Sequence, residues 1–167
     1  EVAIREYLNA NSGRGVEATA IGVAVSPVDN QIILAGSTDA GIYRSADGGE
    51  SWIAVNTGLE TSLIHHIMFA PSDPDVVYAA THKGVYRSED AGQTWVPRNG
   101  EMKYNFVTPI AVHPQDANVV YIGTATEVYT THPRHYNPGL HEGEGLYKTD
   151  DGGQTWYRSD KGIYEAK

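Results

Sequence analysis

An eight-residue pattern occurs three times in this chain, at residues 45–52, 88–95 and 149–156. Its shared form is Ser or Thr, any residue, Asp, Gly or Ala, Gly, any residue, Ser or Thr, and Trp. An Asp side chain accepts hydrogen bonds from backbone amides two residues further on, and Gly adopts the positive φ of a tight hairpin turn. Each copy therefore predicts a hairpin turn followed by a strand that its tryptophan anchors.

The sequence around these turns repeats as a longer unit. Ahead of each turn we expect a strand that ends at a proline, then an aspartate, a second apolar strand, and a third short strand. The prolines are Pro27, Pro71 and Pro114, and the aspartates that follow them are Asp29, Asp73 and Asp116. The first two turns start 43 residues apart, and four short strands in about 40–45 residues is the period of a β-propeller blade.

The predicted fold is all-β, with three four-stranded antiparallel propeller blades. A β-sandwich with evenly spaced turns is the alternative, but it gives no reason for the same proline, aspartate and tryptophan to recur in phase. The third unit carries 18 extra residues, which we place in an insertion. The predicted segments are an N-terminal extension at 1–18, blades at 19–61, 62–104 and 105–167, and the insertion at 125–144. Because propellers usually close with about four to eight blades, we expect an incomplete ring or part of a larger propeller.

The repeated pattern resembles the Asp-box, also called the bacterial neuraminidase repeat. That repeat occurs in sialidases, xyloglucan-degrading glycoside hydrolases, sortilin-type receptors and photosystem assembly factors. The resemblance implies ligand sites on the face opposite the Asp-boxes, and a catalytic acid has no reason to recur identically in every blade. The residues predicted to be structural are Asp47, Gly49, Trp52, Asp90, Gly92, Trp95, Asp151, Gly153 and Trp156.

No catalytic residue is predicted. The chain lacks the Arg-Ile-Pro segment of sialidases and an evident nucleophile pair, and the paired aspartates of the glycoside hydrolases cannot be mapped onto it. The repeated cations Arg44, Arg87 and Lys148 are interpreted as solvated positions or partners of nearby acids. His65 and His66 follow each other in a predicted strand, so one should face inward and the other outward. The inward one is interpreted as a core histidine with satisfied hydrogen bonds rather than a ligand.

The insertion is the one place where the third unit departs from the other two. It is interpreted as a polar contact loop covered by a neighbouring chain or blade. The candidate contact residues are His132, Arg134, His135, Tyr136, His141 and Glu142. A weaker hypothesis is a metal site, because imidazoles and carboxylates are good zinc ligands. Its candidate ligands are His132, His135 and His141.

The formal net charge of −9 argues against nucleic acid or an anionic membrane as a partner. The absence of Cys excludes disulfides and thiolate metal sites. No run of 18 apolar residues exists, so no membrane span is predicted. The chain begins at Glu1 without a visible signal peptide, so we expect a processed or trimmed product. The expected location is extracellular or periplasmic, and no cofactor is expected.

The leading functional hypothesis is a non-catalytic, extracytoplasmic propeller-type scaffold or binding module that acts through protein–protein contact or self-assembly. Its expected partners are further copies of the chain or the remaining blades of a longer chain. A carbohydrate ligand is kept as an alternative. One alternative is a fragment of a xyloglucanase-like or sialidase-like glycoside hydrolase. A second is an assembly factor of the photosystem type. Enzymatic activity is therefore left open, although the absence of a recognisable catalytic set argues against it.

Overall fold

The computed structural model describes residues 20–102, 106–125 and 145–163. Across these ranges the chain forms twelve β-strands and no helix. The first sheet contains β1 (Ala20–Val25), β2 (Ile33–Ser37), β3 (Ile42–Ser45) and β4 (Ile53–Ala54). The second contains β5 (Ile64–Ala70), β6 (Asp73–Thr81), β7 (Gly84–Ser88) and β8 (Val96–Pro97). The third contains β9 (Val107–His113), β10 (Asp116–Thr124), β11 (Gly145–Thr149) and β12 (Tyr157–Arg158).

Each sheet is antiparallel and follows the order of its strands along the chain. The first strands lie side by side, β1 against β5 and β5 against β9, so they form the inner end of each blade. The prediction of three four-stranded antiparallel blades with hairpin Asp-boxes is confirmed. In the part of the chain that is described, no helix is present that could cross a membrane.

The turns after the prolines are closed by their aspartates. A carboxylate oxygen accepts the backbone N–H two residues on at Asp29, Asp73 and Asp116. In the second and third sheets the second strand starts at the aspartate itself, three residues before the apolar run that predicted it. The turn therefore continues directly into the hydrogen-bonded pairing of the sheet, and the apolar run marks only the buried part of the strand.

Two cores lie between the sheets and join them face to face. Between the first and second sheets, Leu34, Ile42 and Val55 pack against Val77 and Tyr86. Between the second and third sheets the core residues are Tyr78, Ala80, Val85, Val107, Ile110, Val120 and Ile122. Successive side chains of β6 lie alternately in the two cores, because neighbouring side chains of a strand point to opposite faces. The second sheet is therefore buried on both faces.

A glycine and a polar side chain stabilise the hairpin between the second and third strands. Asn56 Oδ1 accepts the N–H of Ile42 at 2.7 Å and Asn56 Nδ2 donates to Ala40 O at 3.2 Å. Asn99 makes the same two bonds, to Val85 N and Lys83 O. The amide occupies the space that a Cβ on Gly41 or Gly84 would need. Asp160 takes the equivalent place beside Gly145 in the third sheet.

Candidate functional site

The three Asp-boxes share one hydrogen-bond pattern. In the second box, Asp90 Oδ1 accepts the N–H of Thr94 at 2.8 Å and the hydroxyl of Ser88 at 2.6 Å, while Oδ2 accepts the hydroxyl of Thr94 at 2.6 Å. Gly92 N donates to Ser88 Oγ at 2.9 Å and closes the turn. Asp47 and Asp151 make the corresponding bonds in their boxes. Both oxygens of each carboxylate are therefore occupied within the turn.

These hydrogen bonds favour the charged carboxylates. The hydroxyl and amide of Ser51, with the hydroxyl of Ser45, lower the pKa of Asp47 to about 2. The same donors in the third box, led by Thr155, lower the pKa of Asp151 to about 2. At Asp90, desolvation is the largest single influence and raises the pKa, but the hydrogen bonds together lower it. A carboxylate held ionised in this way is poorly suited to donate a proton at neutral pH.

Two of the tryptophans reach back to the preceding sheet. Trp95 Nε1 donates to Val55 O of the first sheet at 2.9 Å, and Trp156 Nε1 donates to Arg98 O of the second sheet at 2.8 Å. Trp52 belongs to the first sheet and donates instead to Gly49 O of its own turn at 3.2 Å. The structural role predicted for the Asp-box residues is consistent with these contacts and stays a prediction that substitution can test.

The repeated cations are not solvated positions. Arg44 Nε donates to Ala91 O in the second Asp-box at 3.2 Å. Arg87 has a side chain that is 12% exposed and lies over the ring of Tyr78. Lys148 pairs with Asp150 at 2.5 Å and lies over the ring of Tyr121. The alternative interpretation, as partners of nearby acids, holds for Arg87 with Glu89 and for Lys148 with Asp150.

The loops between second and third strands and the links between sheets lie at the same end of the strands, opposite the Asp-boxes. We call this end the connection face. Three rings meet there: His65 at the start of β5, His82 after β6, and Phe106 before β9. The ring centroids are 4.7 Å apart for His65 and Phe106, 5.1 Å for His82 and Phe106, and 6.1 Å for the two histidines. We call these three residues the aromatic cluster.

A β-bulge aims His65 into this cluster. The register between β5 and β6 shifts between Ile64 and His66, and a bulge commonly redirects a side chain. Nε2 of His65 is buried and has no hydrogen-bond partner among the described residues. Burial, followed by the nearby charge of His82, lowers the pKa of His65. The expectation of a satisfied core histidine is therefore wrong for His65, because its ring nitrogen is unpaired. Both His65 and His66 are half-buried, so the bulge also removes the expected alternation.

The sequence did not single out the aromatic cluster. Its three residues come from separate segments and do not recur in the other blades, so the repeat pattern carries no signal for them. Ala125 N donates to Phe106 O at 3.0 Å, which brings the start of the predicted insertion to the edge of this cluster.

The predicted contact loop lies outside the described residues. This holds for all six of its candidates, His132, Arg134, His135, Tyr136, His141 and Glu142, and for the weaker metal hypothesis that uses three of them. Within the three described ranges, no group of three or more His, Cys, Asp or Glu side chains could hold a metal ion.

Comparison with protein families finds one matching model. It is Sortilin-Vps10, described as sortilin, neurotensin receptor 3, and it matches residues 40–166. The resemblance to Asp-box propellers is therefore confirmed. A comparison with curated proteins finds no match.

Comparison with solved structures finds β-propellers. An ancestral GH74 enzyme aligns with a TM-score of 0.70 at 21% identity, over 88% of this chain and 21% of its own. The GH74 xyloglucanase from Xanthomonas campestris aligns with a TM-score of 0.61 at 22% identity, over 84% of this chain and 20% of its own. YCF48 bound to D1 peptide aligns with a TM-score of 0.57 at 17% identity, over 83% of this chain and 40% of its own. The chain thus spans about a fifth of the length of the GH74 structures, and these likenesses show the fold alone.

Proposed function

Because this chain belongs to the Sortilin-Vps10 family, we propose that it is a non-catalytic binding module that holds a polypeptide on its connection face. The ligand contacts the aromatic cluster of His65, His82 and Phe106. The same proposal places the module outside the cytoplasm, within a larger propeller or an assembly of copies. The single observation that carries it is the cluster of three rings itself.

The chemistry of the cluster suits an extended peptide. Phe106 is half-buried and offers apolar ring surface, and the half-buried rings of His65 and His82 lie beside it with their polar ring nitrogens. Ligand sites in proteins commonly combine apolar walls with a few polar groups that orient the ligand. YCF48, which has a similar fold at 17% identity, has been solved with a bound D1 peptide, so a propeller of this kind can hold a polypeptide.

The Asp-box aspartates support the non-catalytic part of the proposal. Each of these carboxylates already accepts hydrogen bonds from its own turn on both oxygens. A glycoside hydrolase needs one carboxyl group that can donate a proton and a second that acts as base or nucleophile. The Asp-box carboxylates are poorly suited to act as the proton donor or as the base or nucleophile.

A displayed library of random 12-residue peptides tests the proposal. Peptides enriched on the 167-residue chain are synthesised and their affinities measured by fluorescence anisotropy. We expect Phe106→Ala to weaken binding at least about tenfold, because the loss of ring contact removes an anchor. The matched control is Ile53→Ala, which shortens an exposed apolar side chain next to the first Asp-box and should leave the affinity unchanged.

Two results would contradict the proposal. One is a set of peptides that bind the Phe106→Ala and wild-type chains equally well. The other is turnover of xyloglucan or of a sialoside by the purified chain, which would favour the hydrolase-fragment alternative.

A further inference from the structure

A cleft of about 310 Å³ lies beside the second Asp-box. Its lining residues are Arg87, Glu89, Asp90, Thr94, Val96 and Arg98. The third Asp-box adjoins it, since Arg87 Nη1 fills the space that a Cβ on Gly152 would need, and Arg98 Cβ lies 2.8 Å from the Cβ position of Gly153. The cleft therefore lies where the second and third sheets meet, at the opposite end from the aromatic cluster.

The repeats show what is particular to this cleft. Arg87 has a cation at the same position in both other sheets, Arg44 and Lys148. Arg98 has none, because the residues three positions after the other two tryptophans are Val55 and Ser159. Val55 is 7% exposed and belongs to the core between the first and second sheets. A blade of this type thus folds with an apolar side chain there, and the guanidinium of Arg98 is not needed for the packing.

One nitrogen of each guanidinium group lacks a hydrogen bond. Nε of Arg87 and Nε of Arg98 are buried and have no partner in the described part of the chain. Burying a cationic donor without a partner is unfavourable. The ring of Tyr78, 5.7 Å from Arg87 Cζ, holds one guanidinium by a cation–π contact but does not replace a hydrogen bond.

Among the residues that the structure describes, Glu89 is the carboxylate that lies close to both cations, and it is held loosely. Its Oε1 lies 3.4 Å from Arg87 Nη2 and 3.7 Å from Arg98 Nη2, and its side chain is 63% exposed. Charge-assisted N–H···O bonds are shorter, at about 2.7–2.9 Å, and exposed ion pairs contribute little. Asp90 does not compete for the arginines, because Ser88, Gln93 and Thr94 already donate to its carboxylate.

We propose that this cleft binds the carboxylate of a glutamate or aspartate side chain from a partner polypeptide, and that Glu89 occupies the site until the partner displaces it. The position of Glu89 shows that one glutamate carboxylate reaches both arginines. The cleft, at about 310 Å³, has room for an acidic side chain. Planar guanidinium groups match the two oxygens of a carboxylate.

The test uses N-acetyl-glutamate N-methylamide as the probe and its glutamine counterpart as the uncharged control. Binding to the whole ¹⁵N-labelled chain is followed by the Nε–Hε NMR signals of Arg87 and Arg98. We expect the glutamate probe to shift both signals and the glutamine probe to shift neither. Glu89→Gln removes the internal competitor and should tighten binding by at least about threefold.

Two variants test the assignment of the site. Arg98→Val installs the residue found at this position in the first sheet and should weaken binding at least about tenfold. Lys148→Gln removes the same charge from the equivalent position of Arg87 in the third sheet and should leave binding unchanged. If Arg98→Val does not fold by circular dichroism, Arg98→Lys keeps the charge but loses the planar fork and should still weaken binding.

The proposal is overturned if the glutamate probe shifts neither arginine signal in Glu89→Gln. It is also overturned if Lys148→Gln weakens binding as much as the Arg98 variants do, because attraction to net charge then accounts for it. Peptide binding at the aromatic cluster should be the same in all these variants, so the two sites can succeed or fail separately.

Discussion

One carboxylate in each Asp-box accepts hydrogen bonds from both sides of its turn. Asp is the side chain whose length permits this, since Asp47 accepts from Ser45 before it and from Ser51 after it. Protonation would place a hydrogen on an oxygen that already accepts one. The turn is therefore more stable while the carboxylate is ionised.

We expect the free energy of unfolding to fall between pH 4 and pH 2. The pKa values of Asp47 and Asp151 are lowered from 3.8 to about 2 in the folded chain. Below about pH 4 the unfolded chain binds more protons than the folded chain, so stability decreases until the folded-state pKa is passed. Urea unfolding across this range measures the effect.

The double variant Asp47→Asn with Asp151→Asn provides the control. It should be less stable than the wild type at pH 7 and should lose less stability on acidification. Parallel declines of the two proteins would show that other carboxylates cause the acid sensitivity.

The roles of some single residues can be predicted from the sequence, and those of others cannot. The Asp-box residues were predicted because they recur at fixed spacing. The spacing of Gly41 and Asn56 recurs as that of Gly84 and Asn99, so the sequence also carries a signal for this pairing. His65 could not be predicted, because a bulge rather than strand alternation decides where its ring points.

Between neighbouring sheets, the tryptophans combine packing with a directed hydrogen bond. Trp95 is 2% exposed and lies in the core between the first and second sheets, while its N–H bonds to Val55 O. Trp156 bonds back in the same way but is only partly buried. The two residues occupy equivalent positions and differ in how much surface the neighbouring sheets remove from water.

Trp95→Ala should therefore destabilise the chain more than Trp156→Ala does. Removing a fully buried Trp side chain leaves a cavity and costs about 3–5 kcal/mol. Trp156→Ala should cost less because its site opens to solvent. Trp95→Phe keeps much of the ring but leaves Val55 O without its donor, at about 1–3 kcal/mol. Urea unfolding of the three variants measures these differences, and equal losses for Trp95→Ala and Trp156→Ala would contradict the argument.

The strands were predictable because their signals are local. Alternating apolar residues, prolines and turn aspartates each lie within a few residues of the element that they define. The clefts and clusters between elements depend on which sheets become neighbours. Arg87 and Arg98 reach the third Asp-box only because the second and third sheets are neighbours, and Phe106 reaches His65 only because their blades are neighbours.

The set of three sheets has two flanking faces without a described neighbour. On the first sheet, Val23 and Val25 are 55% and 50% exposed beside the cluster of Ala35, Tyr43 and Trp52. Surfaces of this kind favour association with another blade. Completing them with further copies or with further blades of the same protein remains the proposal for this chain.

We expect the isolated chain to exceed 18.1 kDa in solution, as measured by light scattering. Shortening residues 127–144 to the length of the corresponding loop in the second blade should preserve the sheets but reduce this association, because the insertion is proposed to be a contact loop. Circular dichroism of the shortened chain serves as the folding control. A clean monomer for the intact chain would contradict self-association, and an unchanged mass after shortening would exclude the loop from it.

The backward direction of the tryptophan hydrogen bonds bears on how the protein is made. Val55 and Arg98 leave the ribosome before the indoles that will bond to them, because they precede Trp95 and Trp156 in the chain. Each new sheet therefore meets an acceptor that already exists. During synthesis the N-terminal parts of a protein generally fold first. The direction of these two hydrogen bonds is therefore the one that docking of the sheets in the order of their synthesis would use.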